Sequence, residues 1–131
     1  MSHGSTVLLA IAALLLAIAT ALGAYAAHGL DRILDAASLA TFATGIDYQF
    51  YHALGLLGIA ILRERATNDR ALMASAALLI TGIVLFSGSL YAGAFVSLGA
   101  FAFAAPLGGL CLITGWLVAA HAAWSLRGLR Q

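Results

Sequence analysis

Between Asp47 and His52 the chain sets an acid, two phenols, an amide and an imidazole within six residues: Asp47, Tyr48, Gln49, Tyr51 and His52. Ten residues without a polar side chain follow, Ala53 to Leu62. Imidazole and carboxylate are proton carriers and metal ligands, and the phenols and the amide both donate and accept hydrogen bonds. On a helix Tyr48 and His52 share one face and Asp47 and Tyr51 another, whereas Asp47 and His52 stand about 140° apart. Further polar groups stand in "AYAAHGL", which ends at His28-Gly29-Leu30, and in "FSGSLYA", which supplies Ser87, Ser89 and Tyr91.

Several chemistries compete for these groups. His28 and His52 with Asp47 would make a three-ligand set for a transition metal. The spacing does not ask for one: there is no HxxxH, no CxxC and no methionine cluster. A serine hydrolase needs Ser, His and an acid in triad geometry, and no nucleophile elbow surrounds Ser87 or Ser89. No catalytic residue, metal or other cofactor is therefore expected. An ionisable residue within a membrane span is a functional candidate by default, and His52 is the deepest such residue on this helix. The plainer reading is a neutral, hydrogen-bonded structural histidine. His28 reads equally as an interfacial imidazole at a helix C-terminus, where positive charge is favoured.

The elements that hold these residues belong in lipid. Of 131 residues, 63% are hydrophobic and 8% charged. A soluble domain carries roughly 25% charged residues. The six cationic residues are all Arg, net charge is +1, and no basic run or aromatic–basic interleaving points to nucleic acid. The single cysteine, Cys111, excludes an intrachain disulfide and sits in an apolar run as a small hydrophobe.

Four spans are expected, at about 7–27, 48–62, 71–93 and 107–126, in one integral membrane domain. Val7 to Ala27 carries no charge and is long enough to cross a ~30 Å hydrocarbon core. "AYA" before Ala27 resembles a signal-peptidase site, but no Lys or Arg precedes the apolar stretch, so we read a transmembrane helix. The second span is the weak one: from Tyr48 to Leu62 it reaches about 22 Å. Pro106 suits the first turn of the fourth. Arg63, Arg65 and Arg70 follow the second span, and Arg127 and Arg130 follow the fourth. Four spans put these arginines and both termini on one side, which the positive-inside rule makes cytoplasmic. His121 and Trp124 read as anchors at that interface, and His3 falls in an N-terminus expected to fray.

Asp31 is expected to cap a short helix in the first connection. Leu39, Phe42 and Ile46 mark a weakly amphipathic helix there, lying in the outer interface or running straight into the second span. The uncharged third connection, Phe95 to Ala105, is expected to dip into the same interface. Small residues four apart, Ala19–Gly23–Ala27, Gly88–Ala92 and Cys111–Gly115, favour close helix packing in lipid. The expected fold is an all-α four-transmembrane-helix bundle. So small a bundle leaves much of each helix facing outward, so a homo-oligomer or a larger membrane complex is expected beside the lipid bilayer.

Four phrases, "LGAYAAHGL" (22–30), "YQFYHALGLL" (48–57), "FSGSLYA" (86–92) and "PLGGLCLITGW" (106–116), in that order resemble the small membrane proteins grouped as domain of unknown function 423, which include the transmembrane protein 256 relatives of animals. The resemblance covers about residues 7 to 126. It implies a four-span protein of the bacterial inner membrane with no established reaction. Its signature polar residues fall on His28, Tyr48, Gln49, Tyr51, His52, Ser87, Ser89 and Tyr91. The chain departs from the family pattern at Tyr25 and Ala26, where Phe-Gly is usual, and in its uncharged third connection, with Ala105 before Pro106.

Three functions follow as alternatives. The first, which we take as the expectation, is a structural or interaction protein: a self-associating bundle or an accessory subunit. The second is a small carrier or channel lined by His28, Tyr48, Gln49, His52 and Ser87. The third is a lipid, quinone or metal site on His28, Tyr48 and His52.

Overall fold

The computed structural model describes residues 1–66 and 68–125, apart from the side chain of Ala100. Arg127 and Arg130, expected at the headgroups, lie outside these residues. All regular structure among the described residues is helical.

The first helix, α1, runs His3–His28. Its start is capped: the Ser5 amide donates to Ser2 Oγ at 3.2 Å, so His3 opens a helix instead of a frayed end. Gly29 closes it, donating its N–H to Tyr25 O at 2.9 Å. Glycine is needed there because a Cβ would lie 2.8 Å from the Tyr25 ring. A single 3-10 turn, Leu30–Arg32, follows.

The second helix, α2, runs Ala36–Arg63 without a break. Its cap is Asp35: Asp35 Oδ1 accepts from the Ser38 amide at 2.7 Å, which lowers the carboxyl below its ordinary range. Asp31, expected to cap a short helix, instead lies second in the 3-10 turn, whose start carries no side-chain cap. The Leu39–Ile46 stretch thus continues straight into the residues of the weak span, one of the two alternatives its pattern left open. α3 spans Arg70–Gly93 and α4 spans Ala104–Ser125, joined through a 3-10 segment, Gly99–Phe103.

Three helical stretches among the described residues are long and apolar enough to cross a membrane: His3–Arg32, Arg70–Gly93 and Phe101–Ser125. α2, although 28 residues long, is not one of them. The polar block 47–52 falls inside it and lowers its mean hydropathy.

Each helix packs mainly on its neighbour in chain order, and α2 also makes a small contact with α4. One apolar core joins all four, through Leu8 and Ala12 of α1, Leu56 and Ile59 of α2, Leu79 and Ile83 of α3 and Leu112 of α4. A smaller cluster at the other end joins Leu30, Phe42 and Ala94. The closest approach is α3 to α4. A Cβ on Gly108 would lie 2.4 Å from the backbone nitrogen of Phe86, and one on Gly82 would lie 2.4 Å from the Leu112 side chain. The buried Ser75 hydroxyl crosses the same interface, donating to Gly115 O at 2.8 Å. Of the small-residue pairs, Gly88–Ala92 does not serve packing: a Cβ on Gly88 would meet nothing within 4 Å, and Ala92 is exposed.

Candidate functional site

The polar block of α2 divides into an inner and an outer set. Gln49 is the inner member, 4% exposed. Its amide nitrogen donates to Leu15 O of α1 at 2.8 Å, and its oxygen accepts from the Tyr91 hydroxyl of α3 at 2.9 Å. The orientation is forced, because a backbone carbonyl only accepts. Gly45, one turn earlier, makes room for the Tyr91 ring: a Cβ there would lie 2.7 Å from it. Phe42 completes the seat, its ring centroid 4.8 Å from that of Tyr91.

Tyr48 and His52 form the outer set. Their rings stack at 5.7 Å and 23°, as four-residue spacing predicts. Tyr48 also packs on Phe86 at 4.5 Å, and His52 lies 6.2 Å from Trp116 of α4. His52 Nδ1 stands 2.6 Å from Tyr48 O. His52 is half-buried, and the most buried polar side chain of this helix is the neutral Gln49. The sequence places Gln49 in the polar block without marking it as the buried member.

The other candidates separate. His28, Asp47 and Tyr51 are exposed. Among the described residues no three His, Cys, Asp or Glu side chains come together to hold a metal, so His28, Asp47 and His52 do not form the set weighed above. Asp47 borders an open groove of 350 Å³ between α1 and α2, lined also by Gly23, Ala26, Ala27, Leu39, Ala43 and Ile46. Ser89 donates to Phe86 O at 2.8 Å within its own helix. Ser87 is buried, 1% exposed, and its hydroxyl has no hydrogen-bond partner among the described residues.

A second polar group, absent from the sequence reading, joins the start of α1 to the α2–α3 connection. Glu64 accepts from the Ser2 amide at 2.9 Å and lies 3.8 Å from the Met1 amino group. The Ser5 hydroxyl, then the Ser2 amide, hold its carboxyl well below the usual range, at about 2. Beside it Arg63 donates to Asp69 through Nε at 2.9 Å and through a terminal nitrogen. The guanidinium lies against Gly4, where a Cβ would come within 2.8 Å of it. The alternation of charges from Arg63 to Arg70 was the available signal.

A family described as "Protein of unknown function (DUF423)" matches residues 22–109, which include the whole polar block and the Tyr91 seat. The chain belongs to the DUF423 family. Curated relatives agree along most of the sequence. The UPF0382 membrane protein of Haemophilus influenzae (strain Rd) is 39% identical over 109 residues, covering 83% of this chain and 86% of that one. The UPF0382 membrane protein YwdK of Bacillus subtilis is 37% identical over 106 residues, covering 81% and 86%. The UPF0382 inner membrane protein YgdD of Escherichia coli K12 is 39% identical over 99 residues, covering 76% and 75%. No solved structure matches. Membership in DUF423, together with three helices apolar enough to span, makes this a small helical membrane protein.

Proposed function

We propose that the chain is a four-span protein of the bacterial inner membrane that acts by association, as a self-associating bundle or as a subunit of a larger membrane complex, without catalysing a reaction. Both termini and the Arg63–Arg70 connection lie in the cytoplasm. α2 is the fourth span in this reading. Its low mean hydropathy counts Gln49 as if it met lipid, whereas that amide is hydrogen-bonded inside the protein. A polar group so satisfied no longer carries its cost in hydrocarbon.

The observation that carries the association reading is how the side chains divide. Gln49 and Tyr91, the conspicuous polar pair, are used in joining α1, α2 and α3. The apolar windows of α1 and α4 are only 17% buried within one chain. Leu14, Leu110, Ile113 and Leu117 all stand more than half exposed. Such faces suit lipid and helix partners.

Native mass spectrometry of protein extracted from its own membrane into nanodiscs tests this. The expected result is a dimer or higher oligomer, or stoichiometric partner proteins. A lone monomer at every concentration, with no co-purifying membrane protein, overturns it. Fluorescent-protein and alkaline phosphatase fusions test the topology: a cytoplasmic signal is expected beyond Ser125 and after Arg65, and a periplasmic one after Ile33.

A further inference from the structure

Among the described residues, three polar groups at one place make no hydrogen bond. Trp116 stands near the middle of α4, about 18 Å from Ala104 and about 14 Å from Ser125 at helical rise. Its indole lies over Gly55 of α2, where a Cβ would come within 2.5 Å of the ring. His52 is beside it, Tyr48 stacks on His52, and Phe86 packs on Tyr48. Among the described residues the Tyr48 hydroxyl, His52 Nε2 and the Trp116 N–H make no hydrogen bond. Tyr48 is 40% and Trp116 43% exposed.

The tautomer of His52 is decided by its one bond. Tyr48 O only accepts, so Nδ1 carries the proton, and in the neutral ring Nε2 offers a lone pair. The site therefore presents an acceptor at His52 and a donor at Trp116, among four ring systems. In the four-span reading, on which the depth of this site rests, these groups stand near the bilayer centre. Water is scarce there, and an unpaired polar group is costly. Phospholipid headgroups are held at the interface, more than ten ångströms away.

We propose that Tyr48, His52 and Trp116, with Phe86, form a binding site for a lipid-soluble hydroxylated aromatic ring of the hydroquinone class. One ring hydroxyl answers the demands of His52 and Trp116: its O–H donates to His52 Nε2, and its oxygen accepts from the Trp116 N–H. The ring itself packs by offset or edge contact on Tyr48 and Phe86. A quinone carbonyl satisfies Trp116 but not the lone pair of His52, so the reduced ligand binds more tightly than the oxidised one.

The test uses full-length protein in nanodiscs with Trp124→Phe, which leaves Trp116 as the one tryptophan. A decyl hydroquinone, kept reduced under argon, is titrated against Trp116 fluorescence, with its dimethyl ether as the donor-free control. The expected result is saturable quenching at one ligand per chain, at least tenfold weaker with the ether and at least tenfold weaker after His52→Phe. Absence of saturable quenching by the hydroquinone overturns the proposal, as does equal binding of the ether. Equal binding by a folded His52→Phe variant also overturns it. If that variant does not fold, the ether comparison on the unsubstituted site decides. Cross-linking of two copies through Trp116→Cys in a Cys111→Ala background would assign this face to a second chain and sink the proposal. Brominated phospholipids separate failure of the depth: mid-chain bromines quench Trp116 most if α4 places it centrally.

Discussion

The Tyr91 hydroxyl of α3 donates to the side-chain oxygen of Gln49 on α2 at 2.9 Å, while the nitrogen of the same amide donates to Leu15 O on α1. One side chain thus joins three helices. Gln49→Leu should lower stability by about 1–2 kcal/mol, the range for interhelical hydrogen bonds in lipid. Tyr91→Phe should cost less, and the double variant should fall short of additivity. Unfolding by steric trapping in bicelles would measure all three. Additive losses would show that the two groups act separately.

At the α3–α4 contact, Gly108→Ala should destabilise by about 1–3 kcal/mol, because its Cβ meets the Phe86 backbone, which cannot swing aside. Gly88→Ala, which meets nothing within 4 Å, should leave stability nearly unchanged. Thermal aggregation of the two variants in the same detergent gives the comparison. Equal behaviour would contradict the packing described.

Glu64 makes stability fall in acid. Its carboxyl titrates at about 2 in the folded chain against an ordinary 4.5, so the ionised form favours the clasp with Ser5 and Ser2. That contribution is present above about 4.5 and is lost as pH falls toward 2. Melting temperatures at pH 6 and pH 3 should differ more for the unaltered chain than for Glu64→Gln. Equal pH dependence would remove Glu64 from the effect.

Asp47 is exposed and makes no hydrogen bond or ion pair among the described residues. Asp47→Asn should therefore change stability by less than about 0.5 kcal/mol. A larger loss in the same unfolding assay would reveal a partner that a single chain does not supply.

Much of this arrangement was readable from residue spacing. Tyr48 and His52 stack because four residues return to one helix face, and Gly29 stops α1 where an Ala-His-Gly run suggests it. Hydropathy measured side-chain cost in lipid, so it shortened α2 to its apolar tail, although backbone helicity continues through Asp47 and back to Ala36. The burial of Gln49 was not legible, because its pairing with Leu15 and Tyr91 depends on which helices adjoin. The one local sign was Gly45, a turn away, which flattens that face for the Tyr91 ring. The Gly82–Leu112 and Gly108–Phe86 contacts join residues whose register no single helix records.

The large interfaces all join helices that follow one another in the chain. During synthesis, α1 can therefore settle against α2, and α2 against α3, before the last helix has left the ribosome. No extensive contact has to wait for the fourth helix to find the first. A chain halted after Gly93 would already hold the Leu15–Gln49–Tyr91 connection, and a nascent protein of this kind presents its unfinished α3 face, with Gly82 open, only until α4 arrives.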